Sequence, residues 1–279
     1  GQVGKYVIES LTRIPVETDI ASEFRYRDPI VDEHTLMIVI SQSGETADTI
    51  AALREAKERG AKTLAICNVV GSTIARLADT VLYTWAGPEI AVATTKGYTT
   101  QVAILDLLAV YLARRLSRID DGEERRLVRE IQKIPQQMQR SVDLNPGLPD
   151  IAKSYHDNQN MFFIGRNLDY AVCLESSLKL KEISYIHSEA CAAGELKHGP
   201  IALIEPGRLV IALACQERLF DKTMSNIKEV KARGAEVLGV AMEGNTRILT
   251  EADKAIYIPR CEPLFAAAPA IVPMQLFAY

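Results

Sequence analysis

The chain has 279 residues and a formal charge of −4, with acidic and basic residues interspersed. That length leaves room for two domains with cores of their own, and the charge gives no support for nucleic acid or an anionic membrane surface as a partner. Five cysteines, an odd number with no CxxC pair, read as buried free thiols in a reducing cytoplasm.

From Gly1 the chain reads as the inside of a helix. The first clear strand is Leu36-Met37-Ile38-Val39-Ile40, short, apolar and β-branched, as in a parallel sheet covered on both faces. Ser41-Gln42-Ser43-Gly44-Glu45-Thr46 follows, and then Ile50, Leu53 and Ala56 recur at helical spacing. The turn thus offers hydroxyls from Ser41, Ser43 and Thr46, a glycine that lets a ligand approach the backbone, and the N–H groups of a helix start. It has no lysine, so it is not the nucleotide-binding P-loop. A phosphomonoester on a small metabolite suits it, and so does an ordinary Ser/Thr-rich helix cap. The motif alone leaves both open.

The next elements repeat further on. Shifted by 174 residues, Ser41–Tyr83 lies over Cys215–Tyr257 without a gap. Lys57, Arg59, Gly60 and Ala61 fall on Lys231, Arg233, Gly234 and Ala235, and Ala78-Asp79 falls on Ala252-Asp253. Each copy reads as strand, turn, helix, strand, short helix, strand. The repeat predicts two similar α/β domains with parallel sheets. The copies differ at the turn, where the second has Cys215-Gln216-Glu217-Arg218-Leu219-Phe220. One hydroxyl-rich turn in the pair fits one phosphate site in the first copy and another duty in the second.

Beyond the third strand come Thr94-Thr95-Lys96 and an apolar helix from Gln101 to about Leu116. Asp106 interrupts it, and it is too short to span a bilayer. Residues 121–150 read as a linking helix and loop, with Asp120-Asp121 at the helix start and a turn at Asn145–Pro149. The predicted division is therefore 1–120, 121–150 and 151–279. In the second domain, strand Met161–Gly165 leads into a helix around Ala171–Ser184. Glu175, Lys179 and Glu182 share one face of it. On spacing alone a surface stripe of ion pairs is the readier interpretation. Leu174, Leu178, Ile183 and Tyr185 make the setting apolar, however, and a partly buried carboxylate beside a lysine suits proton abstraction next to a carbonyl. His198, in Gly194-Glu195-Leu196-Lys197-His198-Gly199-Pro200, lies on a loop or helix end, where it can exchange protons near neutral pH. Alone, such a histidine is more often simply solvated. His34, His156 and His187 have no metal-ligand spacing and receive no role.

Ser41–Thr49, Lys179–Tyr185 and Gly194–Pro200, with Ala21–Tyr26 and Ala93–Lys96, together resemble the isomerase half of the glutamine–fructose-6-phosphate transaminases. That family carries paired sugar isomerase (SIS) domains, and the resemblance covers nearly the whole chain. It implies two SIS-type parallel-sheet αβα sandwiches, flavodoxin-like or Rossmann-like, related by duplication. It implies that Ser41, Gln42, Ser43 and Thr46 bind the phosphate of fructose 6-phosphate and that Val92 and Thr94 line the sugar site. Glu182 would move the proton between C1 and C2, supported by Glu175 and Lys179. His198 would come from the neighbouring subunit of a homodimer to assist ring opening. The product would be glucosamine 6-phosphate, made in the cytoplasm without cofactor or metal.

Four departures stand out. A glutaminase domain, expected in the full-length chain as the ammonia source, is not in this sequence. The family's Cys-Gly-Thr-Ser turn and its lysine-bearing C-terminal tail are also missing, so the chain reads as a fragment clipped at both ends. Thr94 stands where a serine is usual. Two other readings share these motifs: another paired-SIS enzyme, such as a fructosamine-6-phosphate deglycase, and a non-catalytic phosphosugar-binding regulator. The regulator has no use for Glu182 and His198.

Overall fold

Three buried or half-buried runs, β1 (Leu36–Ser41), β2 (Lys62–Cys67) and β3 (Thr80–Tyr83), pair in parallel in the order β1-β2-β3 in a computed structural model that describes residues 1–279. They form the sheet of a first unit, Gly1–Arg118; a second unit comprises Ile119–Tyr279. Helices α1 (Gln2–Thr12), α2 (Ala21–Phe24), α3 (Ala47–Glu58), α4 (Thr73–Leu77) and α5 (Lys96–Arg115) complete the first unit. The sheet is covered on both faces, as its continuous apolar runs require. Leu53 of α3 and Ile74 of α4 pack on Val39 and Ala65 on one side. On the other, Leu105 and Leu108 of α5 pack on Leu64 and Ile66.

In the second unit the stretch 121–150 folds as α6 (Asp121–Gln132), α7 (Ile134–Asp143) and the start of α8 (Leu148–Lys153), and it belongs to that unit's body. Asp120 caps α6, its side chain accepting from the Glu123 N–H at 2.8 Å. The unit then contains β4 (Asn160–Gly165), α9 (Leu168–Ser184), β5 (His187–Ala192), β6 (Leu209–Leu213), α10 (Phe220–Lys231), β7 (Glu236–Met242), β8 (Lys254–Ile258) and α11 (Ala267–Ala278). Its five strands are all parallel, in the order β5-β4-β6-β7-β8. Sequence periodicity does not announce β5, because its Ser, Ala and Cys side chains lack the branched, apolar signature of a strand. A buried pair of hydroxyls, Ser177 and Ser188 at 2.9 Å, joins it to α9.

α11 is buried almost throughout, although Pro273 sits inside it. A proline there deprives the carbonyl four residues earlier of its helical donor. That carbonyl, of Pro269, lies 3.0 Å from the hydroxyl of buried Ser141 on α7, which can donate to it instead.

The repeat is visible in three dimensions. β2 and β3 pair Leu64 with Thr80, and β7 and β8 pair Leu238 with Lys254, the same register after the 174-residue shift. Lys57 donates to Asp79 at 2.7 Å, and Lys231 donates to Asp253 at 2.6 Å. The same aspartates accept the backbone N–H of Thr63 and Val237, bracing the end of a helix to the start of a strand in each unit. The correspondence slips by one residue at the first strand. Leu36 pairs with Lys62, whereas Leu209 pairs with Glu236. No helix is long and apolar enough to cross a membrane.

Candidate functional site

The first cluster lies at the carboxyl end of β1, where parallel sheets place their ligands. Ser41, the last residue of β1, is buried, and its hydroxyl lies 2.9 Å from that of Thr46 and accepts the Gly44 N–H at 3.1 Å. Ser43 is exposed and accepts the Glu45 N–H at 3.2 Å. Thr46 occupies the N-cap position of α3, but no side chain caps the helix. Its first N–H groups and partial positive charge are therefore left for a ligand. Gly44 has φ +68°, and a Cβ there would come within 2.1 Å of the Ser72 hydroxyl. Only glycine fits this turn. Glu45 accepts the N–H of Thr73 at the start of α4, 2.7 Å away, and that contact holds its carboxyl below the usual range.

The start of α5 brings in further groups. A Cβ on Gly97 would meet Thr94 Oγ1 at 2.5 Å, Gln42 Oε1 at 2.9 Å and Glu89 Oε2 at 3.1 Å, so these three side chains converge on one point of backbone. Thr94 donates to Glu89 at 2.9 Å, and the Gly97 N–H donates to the same carboxylate oxygen at 3.2 Å. Glu89 is a lone glutamate after Gly-Pro, a pattern that carries no sequence signal of this role. Gln42 Oε1 is buried with no partner, a polar atom aimed where a donor is wanted. Val92, expected to line the sugar site, is 95% exposed in this chain.

The second cluster is on α9. Lys179 is only 1% exposed, and its ammonium group bonds to Glu182 and lies 3.5 Å from Glu175. A surface stripe is thus the wrong description, because the central charge is removed from water. Leu174, Leu178 and Tyr185, expected to make the surroundings apolar, are exposed. Lys179 is buried on the face it shares with Ser176 and Leu180. Burial pushes the Glu175 carboxyl upward, against the opposing pull of Lys179. Two carboxylates on one buried ammonium, in unequal environments, make a set suited to holding and moving a proton. His198 ends a short 3₁₀ turn, exposed, with no hydrogen bond or ion pair from its ring. Nothing in the second unit brings it to Glu182.

At the start of α9, Asp169 is 2% exposed and accepts the N–H groups of Cys215 and Gln216 at 2.9 and 3.1 Å. Burial pushes its carboxyl up to about 7, with those two hydrogen bonds opposing the shift. No group of three or more His, Cys, Asp or Glu is arranged to hold a metal ion.

Two parallel α/β units related by a repeat, with a hydroxyl-lined turn in one and a buried carboxylate–ammonium set in the other, are what a pair of SIS domains provides. The SIS domain profile accordingly matches residues 1–111 and 154–279. Over its whole length the chain is 58% identical to the isomerizing glutamine–fructose-6-phosphate aminotransferase of Clostridium tetani and 48% identical to that of a Thermus thermophilus strain. It covers 46% of each, and so spans about half the length of these curated relatives. Its fold superposes on the C-terminal domain of glucosamine-fructose-6-phosphate aminotransferase from Francisella tularensis with TM-score 0.96 and 36% identity, covering 100% of this chain and 79% of that one. A glucosamine-6-phosphate deaminase from Thermotoga maritima is more distant, at TM-score 0.78 and 25% identity, with 100% and 79% covered. The chain belongs to the SIS-domain family.

Proposed function

We propose that this chain binds fructose 6-phosphate and, with ammonia, converts it to glucosamine 6-phosphate. The observation that carries the chemistry is the burial of Lys179 between Glu175 and Glu182 on α9. The turn at Ser41, Gln42, Ser43 and Thr46 takes the phosphate through hydroxyls and helix-start N–H groups, and Val92 and Thr94 border the sugar. Ammonia adds to the C2 carbonyl and water leaves, giving an imine. The Glu182 carboxylate takes a proton from C1 and delivers it to C2 while the O1 hydroxyl proton passes to the imine nitrogen, so that C1 becomes the aldehyde carbon and C2 carries the amine. Lys179 bonds to Glu182 and holds it in place, and Glu175 completes the buried set. Ring opening falls to the partner subunit's His198 in a homodimer. A glutaminase domain of the full-length enzyme supplies the ammonia, and the reaction takes place in the cytoplasm.

Substitution of the base provides the test. Glu182→Gln keeps shape and polarity but accepts no proton. Affinity for fructose 6-phosphate, by calorimetry, should stay within about threefold, while turnover falls at least ~10²-fold. Exchange of the transferable hydrogen with deuterated water, followed by NMR, reports the step directly. Exchange at the parent rate in Glu182→Gln would assign the base to another residue.

A further inference from the structure

The turn after β6 occupies, in the second unit, the place that the hydroxyl-rich turn after β1 occupies in the first. It keeps the polarity of such a turn, with backbone N–H groups at a strand's carboxyl end, but has lost both serines, the glycine and the threonine. In place of a ligand it receives a side chain of its own chain. One oxygen of Asp169, Oδ2, takes the N–H groups of both Cys215 and Gln216. The Gln216 side chain donates onward to the Pro263 carbonyl at 2.9 Å, tying the turn to the approach to α11.

Asp169 stands in the first turn of α9, the helix that bears Glu175, Lys179 and Glu182. Close packing also fixes this end of the helix. A Cβ on Gly165 would lie 2.7 Å from the carbonyl carbon of Asp169, so α9 leaves β4 with its backbone against the strand. The Asn167 side chain accepts from Leu168 at 2.8 Å, and Asn167 itself has φ +55°. Two sequence-distant segments thus meet at one buried carboxylate.

We infer that Asp169 is a positioning residue for the acid–base helix: its carboxyl oxygen fills the N–H-lined turn at the end of β6 and so holds α9 by its first turn. At 1.5 Å per residue Glu182 lies about 20 Å along the axis from this anchor, so a tilt of about 3° at Asp169 displaces Glu182 by about 1 Å. A displacement of that size is enough to cost about a hundredfold in a proton-transfer step. The second turn takes no external phosphate because its place is taken, and the chain has one phosphate site. The catalytic half of this inference rests on the proposed role of Glu182; the occupancy of the turn does not.

The test uses Asp169→Ala and Asp169→Leu in the whole chain, with sodium formate as probe and sodium chloride at equal ionic strength as control. Asp169→Ala opens a space lined by the two N–H groups that formate fits. Its kcat should fall at least tenfold with KM for fructose 6-phosphate within about twofold. Formate, but not chloride, should restore kcat at least threefold with saturation and raise the variant's melting temperature, leaving the parent's unchanged. Parental kcat in Asp169→Ala, or indifference of both its kcat and its melting to formate, overturns the inference. Should that variant not fold, Asp169→Leu decides, because it removes the acceptor while keeping the volume. A kcat lowered at least threefold at parental KM supports the anchor, and parental kcat overturns it. If the parent forms no product, the reaction assignment fails, while the melting response to formate still decides what fills the turn.

Discussion

The turns after β1 and β6 descend from one repeat and have been completed in opposite ways. In the first unit the turn is open: Ser43 and Thr46 are exposed, α3 is uncapped, and Gly44 holds a left-handed backbone beside Ser72. In the second it is closed, because Asp169 has entered it from another helix. One scaffold therefore leaves its polar groups to solvent in one turn and satisfies them with its own side chain in the other. Buried polar groups must find partners, and whether the partner is a ligand or a side chain separates the two duties.

The most damaging change to the open turn is Gly44→Ala. It places a Cβ at φ +68° and within 2.1 Å of Ser72 Oγ. The backbone strain and the clash together should weaken fructose 6-phosphate binding on the order of a hundredfold, read by calorimetry. Under the 174-residue shift Gly44 meets Arg218, and Arg218→Ala should leave binding untouched. Equal losses from both substitutions would mean that the two turns share one duty.

Removing single hydroxyls is a milder test. Ser43→Ala should cost about 1.5–3 kcal/mol of binding, the range for a hydrogen bond to a charged group. Fructose without its phosphate should not bind measurably at similar concentrations. If plain and phosphorylated sugar bind equally, or if Ser43→Ala with Thr46→Ala changes nothing, the open turn holds no phosphate.

Much of the open turn is legible in sequence, because its parts are contiguous. A buried strand, a run of hydroxyls around one glycine, and a helical pattern follow one another over a few residues. The repeat is legible for the same reason, down to the Lys57–Asp79 and Lys231–Asp253 braces. What escapes is what the fold assembles from distant segments. Asp169 reads as an ordinary acid in the first turn of a helix, and only folding sets it against Cys215 and Gln216. Glu89 becomes visible only once Thr94 and Gly97 converge on it. The burial of Lys179 cannot be read from its spacing, since a stripe at the same spacing on an exposed face has the same sequence. β5 lacks strand propensity and is held instead by its pairing with β4 and by Ser188.

The closed turn also has a signature in pH. In the fold the Asp169 carboxyl is pushed up to about 7, against about 3.9 in an unfolded chain. Between those values the folded state holds the extra proton, so the stability Asp169 contributes is full below about pH 3.9 and is lost as pH rises through 7. Asp169→Asn has no such titration. Its melting temperature relative to the parent should rise by several degrees between pH 5 and pH 8, a window set by the value near 7. A difference that stays flat across that range would show that the closed turn holds Asp169 in one protonation state throughout.

The smallest expected difference lies in the braces that both units keep. Asp79 is held well below the usual carboxylate range by Lys57 and by Thr63. Asp253 is also lowered, with the cost of its partial burial outweighed by Lys231 and the Val237 N–H. A lowered carboxyl contributes stability that is present above its unfolded value near 3.9 and lost as pH falls through its folded value. Asp79→Asn and Asp253→Asn should therefore lower the melting temperature at pH 7, and each gap to the parent should close in acid. The two losses should not be equal. Thr63 gives Asp79 a hydroxyl donor at 2.7 Å, whereas the second unit has Val237 at that position and Asp253 receives only its backbone N–H. Thr63→Val should remove the difference, leaving two braces that respond alike to acid and to salt. If Asp79→Asn proves no more harmful than Asp253→Asn before that change, the extra hydroxyl carries no weight, and the units differ only at their turns.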